Sequence, residues 1–282
     1  AGAACFDAKR CDGVIAVGGG SVIDTAKLIA LLATNPGRVA DYAGVPGARI
    51  VAAASLVAIP TTAGTGSEAS PSAGLHPDAS TPSVGISSRH LVPRLAVLDP
   101  ELTASLPPRL TAATGIGRVA RHLRGAVSHG ADMDARAEMM MAAFAGGVSI
   151  GMGLGPAHAL ALACSDQGFH HGVLSGIGLV ATLDATARQV PGRMAQVNGA
   201  LGLPSSASTA QGIAMLMRDL GLPTTLAQLG YVASDAGALA EAAARSHFNL
   251  SAPLKPSAAQ YAEFFARSLA PSAHANPTAA LP

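Results

Sequence analysis

A chain of 282 residues can hold one large or two ordinary domains and bury a substantial core. Charged residues make up only 12% and the formal net charge is +1, which excludes the basic footprint of a nucleic-acid binder or of a protein drawn to anionic membrane surfaces. Hydrophobic residues at 49% with aromatics at 3% describe a globular chain with cores of Ala, Val, Leu and Ile, not a disordered one. Cys5, Cys11 and Cys164 make no CxxC pair, so they fit a reducing compartment and argue against a disulfide framework or a thiolate zinc site. Ala1–Arg10 does not read as a signal peptide, and the most apolar stretch, Ile50–Ile59, falls short of the roughly 20 residues that span a bilayer. The expectation is a cytoplasmic protein without nucleic-acid or membrane partners.

Ala1–Cys11 reads as the tail of a helix feeding a first strand over Gly13–Val17. Gly18, Gly19 and Gly20 follow, then Ser21, then Val22, Ala26, Ile29 and Leu32 at helical spacing. Strand, glycine turn and helix is an arrangement that cradles a phosphate. Glycines let the backbone approach without a Cβ in the way, and a helix N-terminus offers N–H groups and a positive dipole end. Ser21 stands where an N-cap belongs, with Asp24 three positions later as in a capping box. The same letters also fit a plain strand-to-helix turn.

Asn35–Gly37 is a stop signal, Asp41–Ala48 a loop, and Val51–Ile59 a second strand ending at Pro60. The segment PTTAGTGSEAS, Pro60–Ser70, supplies hydroxyls and backbone N–H groups in a loop suited to an anion, a polar turn being the plainer alternative. Leu75–Ser83 reads as irregular, with short strands at Val84–Ile86 and Leu95–Leu98. After Leu106–Pro108 the pattern turns helical. Helices are expected over Ile116–Ser128, Met133–Ile150, Pro156–Cys164, Val173–Val190, Met194–Leu201, Ala207–Leu220, Asp235–Ala244 and Ala258–Leu269. The architecture expected is a partial α/β domain with a parallel sheet over residues 1–106, then an all-α helical domain over 107–282.

In the helical half, His158 lies on an expected helix, with His170 and His171 in the turn beyond it. Two imidazoles brought together this way can supply two metal ligands, though a site needs more, and each alone also fits a core or surface role. His76, His90, His122, His129, His247 and His274 read as scattered surface or helix-end residues. No Gly-x-Ser-x-Gly and no plausible Ser/His/Asp or Cys/His set points to nucleophilic hydrolysis.

Together, DGVIAVGGGSVIDTAK (Asp12–Lys27), AIPTTAGTGSEAS (Ala58–Ser70), LVPRLAVLDPELTASLPPRLTAATG (Leu91–Gly115), GLGPAHALA (Gly153–Ala161) and FHHG (Phe169–Gly172) resemble the iron-containing (group III) alcohol dehydrogenase family, in the family's order. The resemblance implies an N-terminal dinucleotide domain, a C-terminal helical domain and an active site in the cleft between them. It implies NAD or NADP held by Gly18, Gly19, Gly20, Ser21 and Asp24, with Thr61, Thr62, Gly64 and Thr65 alongside. It also implies a divalent metal, iron foremost and zinc as the alternative, on one aspartate and three histidines. The reaction implied is hydride transfer between a small alcohol or aldehyde and nicotinamide, the metal acting as Lewis acid on the substrate oxygen.

Residue by residue, His158 and His171 match the third and fourth family ligands, at an interval one residue shorter than the family pattern, with His170 able to take the role on a one-residue slip. The position four after the third ligand, often another histidine, is Leu162. The aspartate and first histidine should follow LTAATG, where a gapless alignment places Gly117 and Arg121. Ile116–Gly130 instead resembles the family's next helix, so the segment bearing two ligands is missing. Family strands before the glycine motif are also lacking, and a sheet without them should expose an edge and part of its apolar face. The readings that follow are an alcohol dehydrogenase, a catalytically impaired relative or fragment that binds nucleotide or dimerises, or a maleylacetate reductase-like enzyme.

Overall fold

A computed structural model describes residues 1–42, 50–75, 84–103, 122–150, 153–250 and 252–270. The chain divides into two compact units, Ala1–Met152 and Gly153–Pro282. The first contains α1 (Gly2–Ala8), β1 (Gly13–Gly18), α2 (Gly20–Leu32), β2 (Ser55–Pro60), β3 (Ser72–Leu75), β4 (Val84–Ser87), β5 (Leu95–Ala96), α3 (Leu123–Ser128) and α4 (Met133–Ile150).

β1, β2 and β5 form a parallel sheet in the order β1-β2-β5. Gly13 pairs with Ser55 and Gly18 with Pro60, so both functional loops leave the sheet at the same end. Strand alternation sends Ala16, Leu56 and Ala58 to the face covered by α2, where they pack with Ile23 and Ala26. The opposite face leaves Ile15 72%, Val17 55% and Leu95 54% exposed. β2 begins at Ser55, not Val51, because the preceding residues serve the end of α2. Val51 donates its N–H to Asn35 Oδ1 at 2.9 Å and Ala54 donates to the Ala30 carbonyl at 3.0 Å.

β3, for which the sequence offers no strand pattern, pairs antiparallel with β4 from Ser72↔Ser87 to Leu75↔Val84. The hairpin buries Ala73 and Ile86 against Leu28, Leu31 and Leu91. Here tertiary burial of Ala73 and Ile86 outweighs a weak local pattern in β3.

α4 occupies the expected range and belongs to the first compact unit. Its buried Arg136 donates to the Gly130 and Thr103 carbonyls, and its Gly147 lies against the backbone of Gly66. Of the helix expected over Ile116–Ser128, Leu123–Ser128 is helical, and residues 116–121 lie outside the described residues, as do Gly117, Arg121 and the expected boundary at 106/107.

The second unit consists, among its described residues, of helices and short turns: α5 (Pro156–Ala163), α6 (His171–Ala187), α7 (Pro191–Ala200), α8 (Thr209–Asp219), α9 (Ala236–Ala244) and α10 (Ala258–Leu269). Ser257 and Gln260 close a reciprocal capping box at the start of α10. Tyr261 and Phe265 of α10 are fully buried, and the Tyr231 hydroxyl donates to the Cys164 carbonyl at 2.6 Å. An α/β unit with a small parallel sheet followed by a helical unit is the fold class expected from sequence.

Candidate active site

In the first unit, the glycine turn and the threonine loop interlock. Thr61 donates its N–H to the Gly18 carbonyl at 3.0 Å, pinning the start of one loop to the end of the other. A Cβ on Gly19 would lie 3.3 Å from Thr62 Cγ2, and one on Gly20 would lie 2.6 Å from Thr65 Cγ2 and 2.7 Å from Thr65 Oγ1. Gly19 and Gly20 thus have no room for a Cβ because the Thr62 and Thr65 side chains lie against them, which sets two hydroxyls beside the leading N–H groups of α2, groups without an intrahelical acceptor. Those are the donors a pyrophosphate accepts from. Gly66 turns the loop at φ +64, and a Cβ there would come within 2.5 Å of Gly147, so glycine is required on two counts. The residues present fit a dinucleotide.

Two site residues sit differently from the sequence reading. α2 begins one residue before Ser21, with Gly19 as its N-cap and no side-chain cap. Ser21 is therefore exposed within the first turn, and the expected capping box does not form, because the glycine turn already sets the backbone entry. Asp24 points beneath the turn. Its Oδ2 accepts from the Gly74 N–H at 2.9 Å, and its Oδ1 lies 3.9 Å from Lys27 Nζ. Burial raises the Asp24 carboxyl above the usual range, against the opposing pull of the Gly74 hydrogen bond and the Lys27 charge. Gly64 and Thr65 are on the loop surface, with Thr65 Oγ1 accepting from the Ser67 N–H at 3.3 Å.

In the second unit, α5 and α6 bring His158 and His171 together, ring centroids 4.5 Å apart at 72°. The approach depends on Gly178 of α6, where a Cβ would sit 2.2 Å from the Ala157 carbonyl oxygen next to His158. The sequence reading placed both histidines of the HH pair in a turn. The structure instead makes His170 the N-cap of α6, its Nδ1 accepting from the Gly172 N–H at 3.2 Å, and His171 the first helical residue. His170 is occupied as a cap. His171 is the one whose ring faces His158.

The Phe248 ring stands edge-on to His158 at 4.7 Å, and the His247 ring lies tilted at 45° against Phe248, 4.1 Å away. Burial, then the charges of His171 and His247, push the His158 imidazole down to about 3, so it stays a neutral ring with lone-pair capacity at physiological pH. Sequence reading treated His247 as incidental, because nothing local signals its approach to a helix far upstream. Among the described residues no group of three or more His, Cys, Asp or Glu is placed to hold a metal. His158 and His171 are thus a pair of candidate donors, where a first-row metal takes four to six.

Residues 1–100 match the family described as iron-containing alcohol dehydrogenase, and residues 110–269 match the C-terminal domain of the same family. The chain belongs to the iron-containing alcohol dehydrogenase family. It is 36% identical to 4-hydroxybutyrate dehydrogenase of Cupriavidus necator, over 95% of this chain and 80% of the relative. That alignment runs over 307 positions, more than the 282 residues of the chain, so the relative has residues inside the aligned region with no counterpart here. Among solved structures, 1,3-propanediol oxidoreductase superposes with TM-score 0.85 at 27% identity, covering 94% of this chain and 79% of that one. Sulfoacetaldehyde reductase from Bifidobacterium kashiwanohense, solved with NAD+, superposes with TM-score 0.81 at 25% identity, covering 96% and 79%. The chain spans about four fifths of these relatives, and 65% of a long-chain-alcohol dehydrogenase of Geobacillus thermodenitrificans.

Family membership makes this chain an oxidoreductase of alcohols and aldehydes, with NAD as cofactor and an iron-type divalent metal. No helix among the described residues is long and apolar enough to cross a membrane.

Proposed function

We propose that this chain transfers hydride between a small alcohol or aldehyde and NAD, with the dinucleotide on Gly18, Gly19, Gly20, Ser21, Thr61, Thr62, Gly64 and Thr65. The observation that carries the reading is the Gly20–Thr65 interlock, which packs the threonine loop against the N-terminus of α2, where helix N–H groups and hydroxyls suit a phosphate. Residues 1–106 act as the NAD(P)-binding domain and 107–282 as the helical metal and substrate domain. The two family matches, which meet between residues 100 and 110, support that division.

Within this reading, the N–H groups at the start of α2 and the threonine hydroxyls fix the pyrophosphate, and with it the cofactor's orientation. Asp24 contributes from beneath, by holding the Gly74 backbone against α2. His158 and His171 would hold the divalent metal, the neutral His158 imidazole offering a lone pair. When bound, the metal supplies Lewis-acid polarisation of the substrate oxygen. Leu162, where relatives of the resembling pattern often have histidine, offers no proton at that position, so proton movement falls to other groups. The alanine- and leucine-rich helices suit a small or apolar substrate. The lack of a disulfide among Cys5, Cys11 and Cys164 and the near-zero net charge support a cytoplasmic enzyme without nucleic-acid or membrane partners, for which a homodimer is the proposed assembly.

The test is elemental analysis for iron and zinc together with NADH formation at 340 nm on a panel of short alcohols. Near-stoichiometric metal with turnover, lost in His158→Ala, is expected. Metal-free protein without turnover, unchanged by His158→Ala, would overturn the reading in favour of a chain that binds nucleotide only.

A further inference from the structure

We propose that Lys27 is a positioning residue for dinucleotide binding: its buried ammonium ties α2 to the Ser70–Ser72 segment and so holds the glycine turn and the threonine loop at their working separation. This rests on the reading of those two loops as the dinucleotide site.

Lys27 is fully buried, at 0% exposure, on the helix that begins at the glycine turn. Its Nζ donates to the Ser70 carbonyl at 2.9 Å, Ser70 Oγ at 3.0 Å and the Ser72 carbonyl at 2.7 Å. An ammonium has three hydrogens, and each has an acceptor here. All of these acceptors lie where the threonine loop hands over to β3. A buried ammonium is a costly way to pack a helix, and an apolar side chain would pack as well.

An apolar side chain could not gather two backbone carbonyls and a hydroxyl onto one point. The loop needs that, because between Thr61 and Ser70 only Ala63 and Ala69 offer an apolar side chain to pack. The remaining link is Asp24, one turn before Lys27, whose carboxylate holds the Gly74 N–H of the same strand at 2.9 Å. Lys27 and Asp24 together fasten α2 to both ends of the Ser70–Gly74 segment. The cradle is set from below.

The charged groups that face Lys27 are Asp24 on its own helix and Glu68 on the loop, and both carboxyls are raised by burial. Burial brings the Lys27 ammonium down to about 8, with Asp24 and Glu68 opposing the fall. Above that pH a neutral amine has two hydrogens for three acceptors, and one tie to the loop is released. The stability linkage runs the other way. Between about 8 and 10.5 the unfolded chain keeps a proton that the folded chain has lost, so this group makes folding more favourable as pH rises. Weaker binding in that range is thus not unfolding.

The experiment is fluorescence titration of the full chain with NADH from about pH 6.5 to 9.5, with thermal midpoints recorded alongside. The proteins compared are wild type, Lys27→Met, Ser70→Ala and Gly20→Ala. Wild-type affinity should weaken about three- to tenfold as pH rises through the Lys27 transition, with no fall in the thermal midpoint. Lys27→Met should bind about tenfold more weakly at neutral pH and show no inflection, with KM for NAD raised and kcat at saturating NAD within about twofold. Ser70→Ala, which removes one acceptor, should bind about two- to threefold more weakly. A flat wild-type profile, or folded Lys27→Met binding NADH as tightly as wild type, overturns the proposal. If Lys27→Met does not fold, the wild-type profile and Ser70→Ala decide it. Gly20→Ala distinguishes failure of the dinucleotide site from failure of the Lys27 role. If it binds like wild type, the cradle reading itself fails, whereas weakened Gly20→Ala beside unaffected Lys27 variants removes only the role of Lys27.

Discussion

Replacing Gly20 with alanine adds one methyl group at the point where the glycine turn meets the threonine loop. That Cβ would lie 2.6, 2.7 and 2.9 Å from Cγ2, Oγ1 and Cβ of Thr65. Ordinary carbon contacts begin at about 3.5 Å, so Thr65 must retreat by close to an ångström. The contact includes Thr65 Cβ, so rotating the side chain cannot relieve it and the loop backbone has to move. Overpacking of this kind costs about 1–3 kcal/mol. Because the strain falls on the binding loop, most of it should appear as lost affinity, about tenfold for each 1.4 kcal/mol.

NADH titration by fluorescence, with thermal denaturation to confirm folding, measures this directly. A double-mutant cycle with Thr65→Ala, which removes two of the three clashing atoms, should return part of the affinity lost in Gly20→Ala. Folded Gly20→Ala with wild-type NADH affinity would refute the cradle, and additivity of the two changes would refute the interlock.

Other substitutions probe the second unit. His158→Ala and His171→Ala should each lower retained iron or zinc by about tenfold or more, read by elemental analysis after gel filtration. Unchanged metal would place it elsewhere. Gly178→Ala puts a Cβ 2.2 Å from the Ala157 carbonyl oxygen, so it should destabilise by about 1–3 kcal/mol. By prising α5 from α6 it should also lower metal retention without touching a ligand.

Tyr261→Phe removes the hydroxyl that donates to Asn249 Oδ1 at 2.7 Å in a fully buried position. A loss of about 1–2 kcal/mol is expected, seen as a fall of about 2–8 °C in thermal midpoint. The Tyr261 phenol is pushed up to about 12 by burial, so the folded chain keeps a proton that the unfolded chain releases from pH 10. Stability present below pH 10 is therefore lost as pH rises from 10 toward about 12, and Tyr261→Phe should flatten that decline in a pH series of urea melts.

Sequence alone determined the family and most of the element order. Glycine turns, hydroxyl loops and helical periodicity are local signals, and Gly18–Ser21, Thr61–Thr65, His158 and His171 announced themselves through residue type and spacing. A parallel sheet was legible in the alternation of strands with a helix, while the register of β1 with β2 came from the fold. Tertiary structure decided which of those residues face each other and what holds them there. Ser21 has the letters of an N-cap, yet the turn before it had already set the helix start. His170 and His171 are neighbours in sequence, and the entry of α6 makes one a cap and the other a partner of His158. Lys27 looked like one more helical lysine. Its burial against Ser70 and Ser72 depends on a hairpin formed by small residues with weak local preference, and on contacts 43 and 45 residues along the chain. Spacing within a few residues records local geometry. Desolvation and charge pairing across such distances exist only once the chain has folded.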